Sequence, residues 1–420
     1  MRKGRKAPLG AGNGIIARLS QLTLRPAMNV QIPAALAQEA RRHLECPQLA
    51  SFLQDLLRQL HPSIGADDIA TDLHPACQML SHSLRHHQDA GLAVSQYFAV
   101  ALQQFHVVEQ IIQRHPVARD ELKFLDFACG YGRLLRFLVR SLPTAHIHAA
   151  EIMPEAVDHA RRRYQVTALQ STERPKDFHS RQRYDVIWVA SLFSHLPDEL
   201  FTAWLRRLHD LLSDDGILCF TVHDQALLPS DMPLPESGLL YIEGSENEEL
   251  SPSIYGTTFV SEAYVRTAVA KALGRESSIR RIPRLLAHEQ DLYLVGRDGE
   301  APPASMKSLR RGLRGWLDGC RIDADNTLHL HGWAGSMDGD PLDRVEVRVE
   351  DRSITCHACE PRPRVAEVLG KPELDHCGWS CSVPLRQANH GIYLTISAHG
   401  HQDPPALIYA GPVSSQGSGE

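Results

Sequence analysis

The sequence predicts an α/β protein: a seven-stranded, mostly parallel sheet with an antiparallel last strand, preceded by a helical cap and followed by a small antiparallel β domain. Three observations carry this. An apolar run, Leu122 to Phe127, leads through Gly130 and Gly132 into RLLRFLVRSL, an order of strand, glycine turn and helix that brings bare backbone against a ligand. Downstream, short apolar runs alternate with amphipathic segments, the rhythm of a parallel sheet covered by helices. Beyond Ser308 apolar and polar residues alternate, the period of half-buried antiparallel strands.

Residues 1–31 carry Arg2, Lys3, Arg5, Lys6, Arg18 and Arg25, while the first acid is Glu39; a disordered basic arm is expected. Residues 32–115 read as helical. Leu49, Phe52, Leu53, Leu56, Leu57 and Leu60 mark one amphipathic stripe, and Val94, Phe98, Leu102, Phe105, Val108, Ile111 and Ile112 a longer one, spaced for helix–helix packing. His115-Pro116 breaks the second.

Residues 116–298 form the expected α/β unit. Its first five strands are Leu122 to Phe127, Ala145 to Ala150, Val166 to Leu169, Tyr184 to Ala190 and Ile217 to Val222. Pro154 and Pro197-Asp198-Glu199 suit helix starts. Leu227 to Thr257, rich in Pro, Ser, Gly and Glu, reads as a long functional loop. A helix, Ser261 to Leu273, precedes strands Ser278 to Leu285 and Gln290 to Gly296, whose short HEQD link requires antiparallel pairing. Residues 299–310, with Pro302 and Pro303, are a linker candidate. Residues 311–412 offer Leu328 to Trp333, Arg344 to Glu350, Trp379 to Leu385 and Gly391 to Ala398 as strands of a sandwich-sized β domain. Residues 413–420 read as a disordered tail.

Composition narrows the class. A net charge of −6 over 420 residues argues against nucleic acid as the main partner, since phosphate binding needs clustered Lys and Arg. No window reaches the apolar length of a membrane helix. Nine scattered cysteines without a secretory signal point to a reducing cytoplasm rather than to a disulfide framework.

The glycine turn carries the chemistry. Asp126 ends the first strand, where ligands of open α/β sheets collect, and Glu151 ends the second, where an acid can take both ribose hydroxyls. Together they indicate an adenosine-type cofactor, either NAD or S-adenosylmethionine. The stretch Ala128-Cys129-Gly130-Tyr131-Gly132-Arg133-Leu134-Leu135 lacks the third glycine of the dinucleotide fingerprint. S-adenosylmethionine has no phosphate; its carboxylate can use backbone N–H groups and its ammonium Asp126.

On these residues a resemblance emerges. LDFACGYGRLLRFL resembles the first motif of class I S-adenosylmethionine-dependent methyltransferases, and HAAEIMPEAVDHAR their second. YDVIWVASLFSHLPDELFTAWLRRLHDLLSDDGILCFTVH is similar to their fourth strand, helix and fifth strand, so that the likeness covers about Val94 to Arg297. It implies a Rossmann-like sheet and S-adenosylmethionine as cofactor, held by Asp126, Ala128, Cys129, Gly130, Tyr131, Gly132, Arg133, Glu151, Ile152, Met153, Ser191 and Leu192. Two departures stand out: Ala128 replaces the motif's usual first glycine, and no acid follows strand three at Leu169-Gln170-Ser171. YGTTFVSEAYVR and HEQDLYLVGR are similar to a subgroup found beside glycan and lipopolysaccharide enzymes, implying O-methylation of a sugar or other small acceptor.

For a general base, His195 follows strand four and His223 follows strand five; imidazole titrates in the range that deprotonates a bound hydroxyl. Otherwise His195 caps the next helix and His223 is an exposed loop residue. Tyr255, His288 and Asp291 are secondary candidates, and Arg136 reads as a solvated helix face. Cys356, Cys359, Cys377 and Cys381 approach zinc-ribbon spacing, but the final gap of three is unusual for it, and core packing is preferred with no metal expected. Two other classes remain open: an NAD oxidoreductase, and a non-catalytic glycan-binding protein.

Overall fold

The structure, a computed structural model, describes residues 31–61, 69–244, 250–297, 304–386 and 392–413. The expected basic arm lies almost wholly outside the described residues, as do most of the tail and the first half of the linker.

The helical region holds α1 (Ala34–Leu44), α2 (Pro47–Leu60), α3 (Gln78–His87) and α4 (Ala90–Arg114). Asp89 caps α4 by accepting from the Leu92 N–H at 2.7 Å, as an N-terminal carboxylate does. The helix is buried on almost every side, the signature of a helix enclosed by two layers.

Next come β1 (Phe124–Phe127), α5 (Leu135–Ser141), β2 (Ile147–Glu151), α6 (Pro154–Tyr164), β3 (Thr167–Gln170), β4 (Tyr184–Val189), α7 (Asp198–His209) and β5 (Leu212–Asp224). β6 (Leu239–Ile242), β7 (Thr257–Val260), α8 (Glu262–Leu273), β8 (Ile279–Ile282) and β9 (Asp291–Gly296) complete the unit. The order β3-β2-β1-β4-β5 is parallel and continues through β9, antiparallel to β5, to β8. These are the seven expected strands.

The sheet nonetheless has nine strands among the described residues. The segment read as a loop contains β6, which pairs antiparallel with β7, and β7 joins the last two residues of β5. LLYI and TTFV are four-residue strands inside Pro- and Ser-rich sequence, too short for periodicity to reveal. β5 therefore runs past Val222 through His223 and Asp224.

The expected linker is partly a packed element: Ala304–Ser308 is a short 3₁₀ turn with Met306 fully buried. Among the described residues the C-terminal unit has seven strands rather than four. β10 (Leu313–Ile322), β11 (Thr327–Ser336) and β14 (Gly378–Pro384) form one antiparallel sheet. β12 (Leu342–Val349), β13 (Arg352–Cys356), β15 (Tyr393–Gly400) and β16 (Ala406–Pro412) form the other, and α9 (Pro363–Leu369) bridges β13 and β14. Leu328, Leu330 and Trp379 of one sheet share a core with Val345, Val347 and Ile396 of the other. β10, β13 and β16 escaped notice because charged, glycine or β-poor residues interrupt their alternation.

The sandwich docks on α4. Ser95 Oγ accepts from the Ala410 N–H at 2.9 Å and donates back to the Ala410 carbonyl at 3.1 Å. Gln110 pairs with the backbone of Arg310 through both ends of its amide. Leu407 and Ala410 consequently belong to the same core as the helices and β1.

Candidate functional site

The turn after β1 is built from unusual backbone. Ala128, Gly130 and Gly132 all have positive φ, at 60°, 55° and 80°, a region that costs an alanine about 1 kcal/mol relative to glycine. A Cβ on Gly132 would strike the Tyr164 ring, whereas one on Gly130 would meet nothing within 4 Å. Gly132 lets α6 approach the turn; Gly130 faces open space.

That space is a cavity of about 190 Å³ over the carboxyl ends of β1, β2 and β4, where open α/β sheets bind ligands. Asp126, Ala128, Cys129, Gly130, Tyr131, Arg133, Glu151, Ile152, Met153, Ser191 and Leu192 line it. Of the expected cofactor residues only Gly132 is set back, behind the wall. Leu250, Ile254 and Tyr255, from the inserted segment before β7, close the outer side.

Two carboxyl groups dominate the electrostatics. Glu151 accepts from the Gly130 N–H at 2.8 Å through Oε2, and from the Ile152 and Met153 N–H groups at 2.7 and 3.3 Å through Oε1. Burial raises its pKa against the pull of those amides. Asp126 is also buried, and its Oδ2 has no hydrogen-bond partner among the described residues. Burial and then the charge of Glu151 push its pKa up to about 8, with Arg133 acting the other way. An unsatisfied buried carboxyl of this kind calls for a cationic or donor group.

Glu173 and Thr172 of the lining, and Gln290, which bonds to the lining residue Ser191 from behind, were not identified from sequence. Glu173 and Thr172, just past β3, reach the cavity, so the acid missing at Leu169-Gln170-Ser171 has a counterpart a few residues later. Gln290 accepts from the Thr221 and Ser191 hydroxyls at 2.7 and 3.2 Å, and its amide donates to His223 Nε2 at 3.3 Å. Only its place in the HEQD link could have drawn attention to it.

The base candidates sit elsewhere. His195 donates from Nδ1 to the Gly256 carbonyl at 2.6 Å and stacks on Tyr255 with ring centroids 4.5 Å apart. It does not cap α7, whose N-cap is Pro197. His223 is buried within β5, not exposed on a loop, and lies 6.3 Å from the His195 ring. Neither histidine lines the cavity. Asp291 is held by Arg281 at 2.6 Å, which also binds Asp224 and Glu262; the His288 side chain lies outside the described residues.

Arg136 is not solvated. It is 1% exposed and binds the Ala70 carbonyl at 2.6 Å, the Tyr97 hydroxyl at 3.3 Å and the Tyr164 hydroxyl at 3.2 Å. Together with Arg163, which pairs with Asp72 at 2.6 Å, it ties the segment before α3 to the site. Among the C-terminal cysteines, Cys356 and Cys381 hydrogen-bond to each other, Cys377 packs in a separate core and Cys359 is exposed.

Residues 125–218 match a family model described as a methyltransferase domain. Over 137 residues the chain is 28% identical to a malonyl-[acyl-carrier protein] O-methyltransferase of Bacillus anthracis, covering 32% of this chain and 50% of the relative. A protein of the same name from Acetivibrio thermocellus is 27% identical over 105 residues, 25% of this chain and 36% of the relative. The chain thus spans half the length, or less, of these curated relatives. Among solved structures, an S-adenosylmethionine-dependent methyltransferase from Clostridium acetobutylicum aligns at 12% identity and a TM-score of 0.34, over 47% of this chain and 91% of that one. The glycopeptide N-methyltransferase MtfA with S-adenosyl-L-homocysteine aligns at 13% and 0.31, over 45% and 85%. Likeness at this depth assigns no substrate.

Proposed function

We propose that this chain is an S-adenosylmethionine-dependent methyltransferase that acts on an oxygen of a small-molecule acceptor. The observation that carries the reading is the pair Asp126 and Glu151 around the glycine turn, inside the segment that matches a methyltransferase domain. Asp126, with its unpartnered Oδ2, suits the donor's ammonium, and the glycine-turn N–H groups suit its carboxylate. Glu151 has lone pairs left, after three amides, for ribose hydroxyls. Glu173 and Thr172 are positioned to meet the adenine edge.

The bound donor supplies an electrophilic methyl on a sulfonium, and the protein's work is positioning. Burial of the site by the helical region and by the Leu250–Tyr255 wall excludes water from the reacting atoms. The NAD reading fares worse for an electrostatic reason: a pyrophosphate at this turn would face the buried Asp126 carboxyl with no third glycine to admit it. Within O-methylation, the sequence resemblance suggests a sugar or glycan, while the two relatives are named for malonyl-[acyl-carrier protein]. All nine cysteines are free thiols, in keeping with a cytoplasmic protein.

Titration calorimetry tests the donor assignment. S-adenosylhomocysteine should bind at one site per chain and NADH should not; binding of NADH alone would overturn the reading. A chain that binds S-adenosylhomocysteine yet never consumes the methyl donor across an acceptor screen would instead be a non-catalytic binding protein.

A further inference from the structure

A second cavity, of about 700 Å³, lies where three parts of the chain meet. α3 and α4 form one wall, the Ala226–Asp231 segment after β5 another, and the start of the sandwich, with Trp316 and Trp333, the third. Its volume is that of a small-molecule site. Met79, Tyr97 and Arg133 line both this chamber and the donor cavity, so a ligand here faces the donor across those three side chains.

We propose that this chamber is the acceptor site and that it takes a ring-bearing carboxylate, methylated to its ester, with Arg133 meeting the carboxylate. The proposal rests on the donor assignment above. Arg133 makes no hydrogen bond or ion pair among the described residues, and burial lowers its pKa while Asp126 acts on it from across the donor cavity. The other guanidinium groups of the chamber are engaged: Arg311 with Asp338, Arg314 with Glu289, and Arg284 with the Leu369 carbonyl. A partly buried guanidinium that lines both cavities with no protein partner among the described residues can take a carboxylate through two parallel hydrogen bonds. Four arginines, Arg133, Arg284, Arg311 and Arg314, outnumber the acids Asp231 and Glu289 in the lining.

The reaction chemistry agrees. A hydroxyl acceptor must lose a proton, yet His195 and His223 line neither cavity, and His82, His86, His87 and His106 line the chamber but not the donor cavity; at the boundary itself, formed by Met79, Tyr97 and Arg133, burial keeps the Tyr97 phenol protonated. A carboxylate requires no base. One of its oxygens attacks the methyl carbon and the carbon–sulfur bond breaks, with the electron pair returning to sulfur. The products are a methyl ester and neutral S-adenosylhomocysteine; no proton moves. The ring is inferred from Trp316, which stands 5.2 Å from the His87 ring and packs with Trp333. An indole of this kind accepts the flat face of an aromatic ring or the apolar face of a pyranose, so aromatic acids and uronic-acid glycosides share the required chemistry.

The test uses matched pairs on the intact chain: naphthoate against naphthylmethanol, and para-nitrophenyl glucuronide against the glucoside. Each is titrated by tryptophan fluorescence with S-adenosylhomocysteine present, then incubated with tritiated methyl donor. The acids should bind saturably and gain label that alkali releases as methanol, with the neutral partners unlabelled; which acid responds distinguishes an aromatic from a sugar source. Arg133→Met should cut transfer by roughly two orders of magnitude, with partial rescue by Arg133→Lys and a loss of transfer far steeper than the loss of S-adenosylhomocysteine affinity that its place in the donor cavity entails. Trp316→Ala should raise KM roughly tenfold with kcat retained. Alkali-stable label on the neutral partners, no saturable binding of either acid, or an Arg133→Met variant that loses S-adenosylhomocysteine as steeply as transfer would each overturn the proposal. Failure of the wild type to bind S-adenosylhomocysteine would overturn the donor assignment first.

Discussion

At the scale of single residues, the cavity is dominated by a carboxyl group that burial holds protonated well above the usual carboxylate range. Asp126 has its pKa raised from 3.8 to about 8 by burial and by Glu151. Its folded value lies above the unfolded one, so the protonated group contributes stability at low pH that is lost as pH rises toward 8. Asp126→Asn should therefore raise the melting temperature at pH 8, leave it nearly unchanged near pH 4, and abolish S-adenosylhomocysteine binding; unaltered binding would remove Asp126 from the site. Pairing with the ligand ammonium requires the ionised carboxyl. Affinity should consequently increase from pH 6 to about pH 8, with close to one proton released per ligand at the lower pH. Calorimetry in buffers of differing ionisation enthalpy measures that proton. Ala128, at φ 60°, carries a separate cost: Ala128→Gly should stabilise the fold by up to about 1 kcal/mol in urea unfolding.

At the scale of elements, the strand–turn–helix unit was legible because its parts are local. Leu122 to Phe127 is apolar, two glycines follow, and the acids end their strands. Arg136 was misread for the complementary reason: a charged residue in an amphipathic helix belongs to the solvent face unless another element covers it. Here the segment before α3 and the rings of Tyr97 and Phe98, each 5.5 Å from the guanidinium, cover it completely. Arg136→Met should cost about 3 kcal/mol, because the Ala70 carbonyl and two tyrosine hydroxyls lose their donor. Loosening of the 69–77 segment would register as faster amide exchange there; unchanged exchange would refute the tether. The insertion strands β6 and β7 were hidden by their brevity, and with them the wall that Ile254 and Tyr255 present to the cavity.

At the scale of the whole molecule, the helical region, the sheet and the sandwich share one core. A chain ending at Arg310 would uncover Ser95 and the faces that meet Leu407 and Ala410. Such a truncation should bind a hydrophobic dye and aggregate, while the intact protein unfolds in one calorimetric transition. Two independent transitions would show that the sandwich is autonomous. No helix among the described residues is long and apolar enough to cross a membrane.

The sequence by itself determined the order of the seven core strands, the antiparallel β8–β9 pair and the cavity-lining residues Asp126, Gly130 and Glu151, because each depends on neighbours a few positions away. Only the tertiary structure decided that Glu173 reaches the cavity, that Gln290 bonds to its lining residue Ser191, that His195 and His223 do not line it, and that Arg133 borders two cavities. Those facts arise from packing between residues up to hundreds of positions apart, such as Ser95 against Ala410. Hydrophobic burial is blind to sequence separation, so no local pattern could have announced that the last strand of the sandwich helps enclose the chamber beside the first glycine turn.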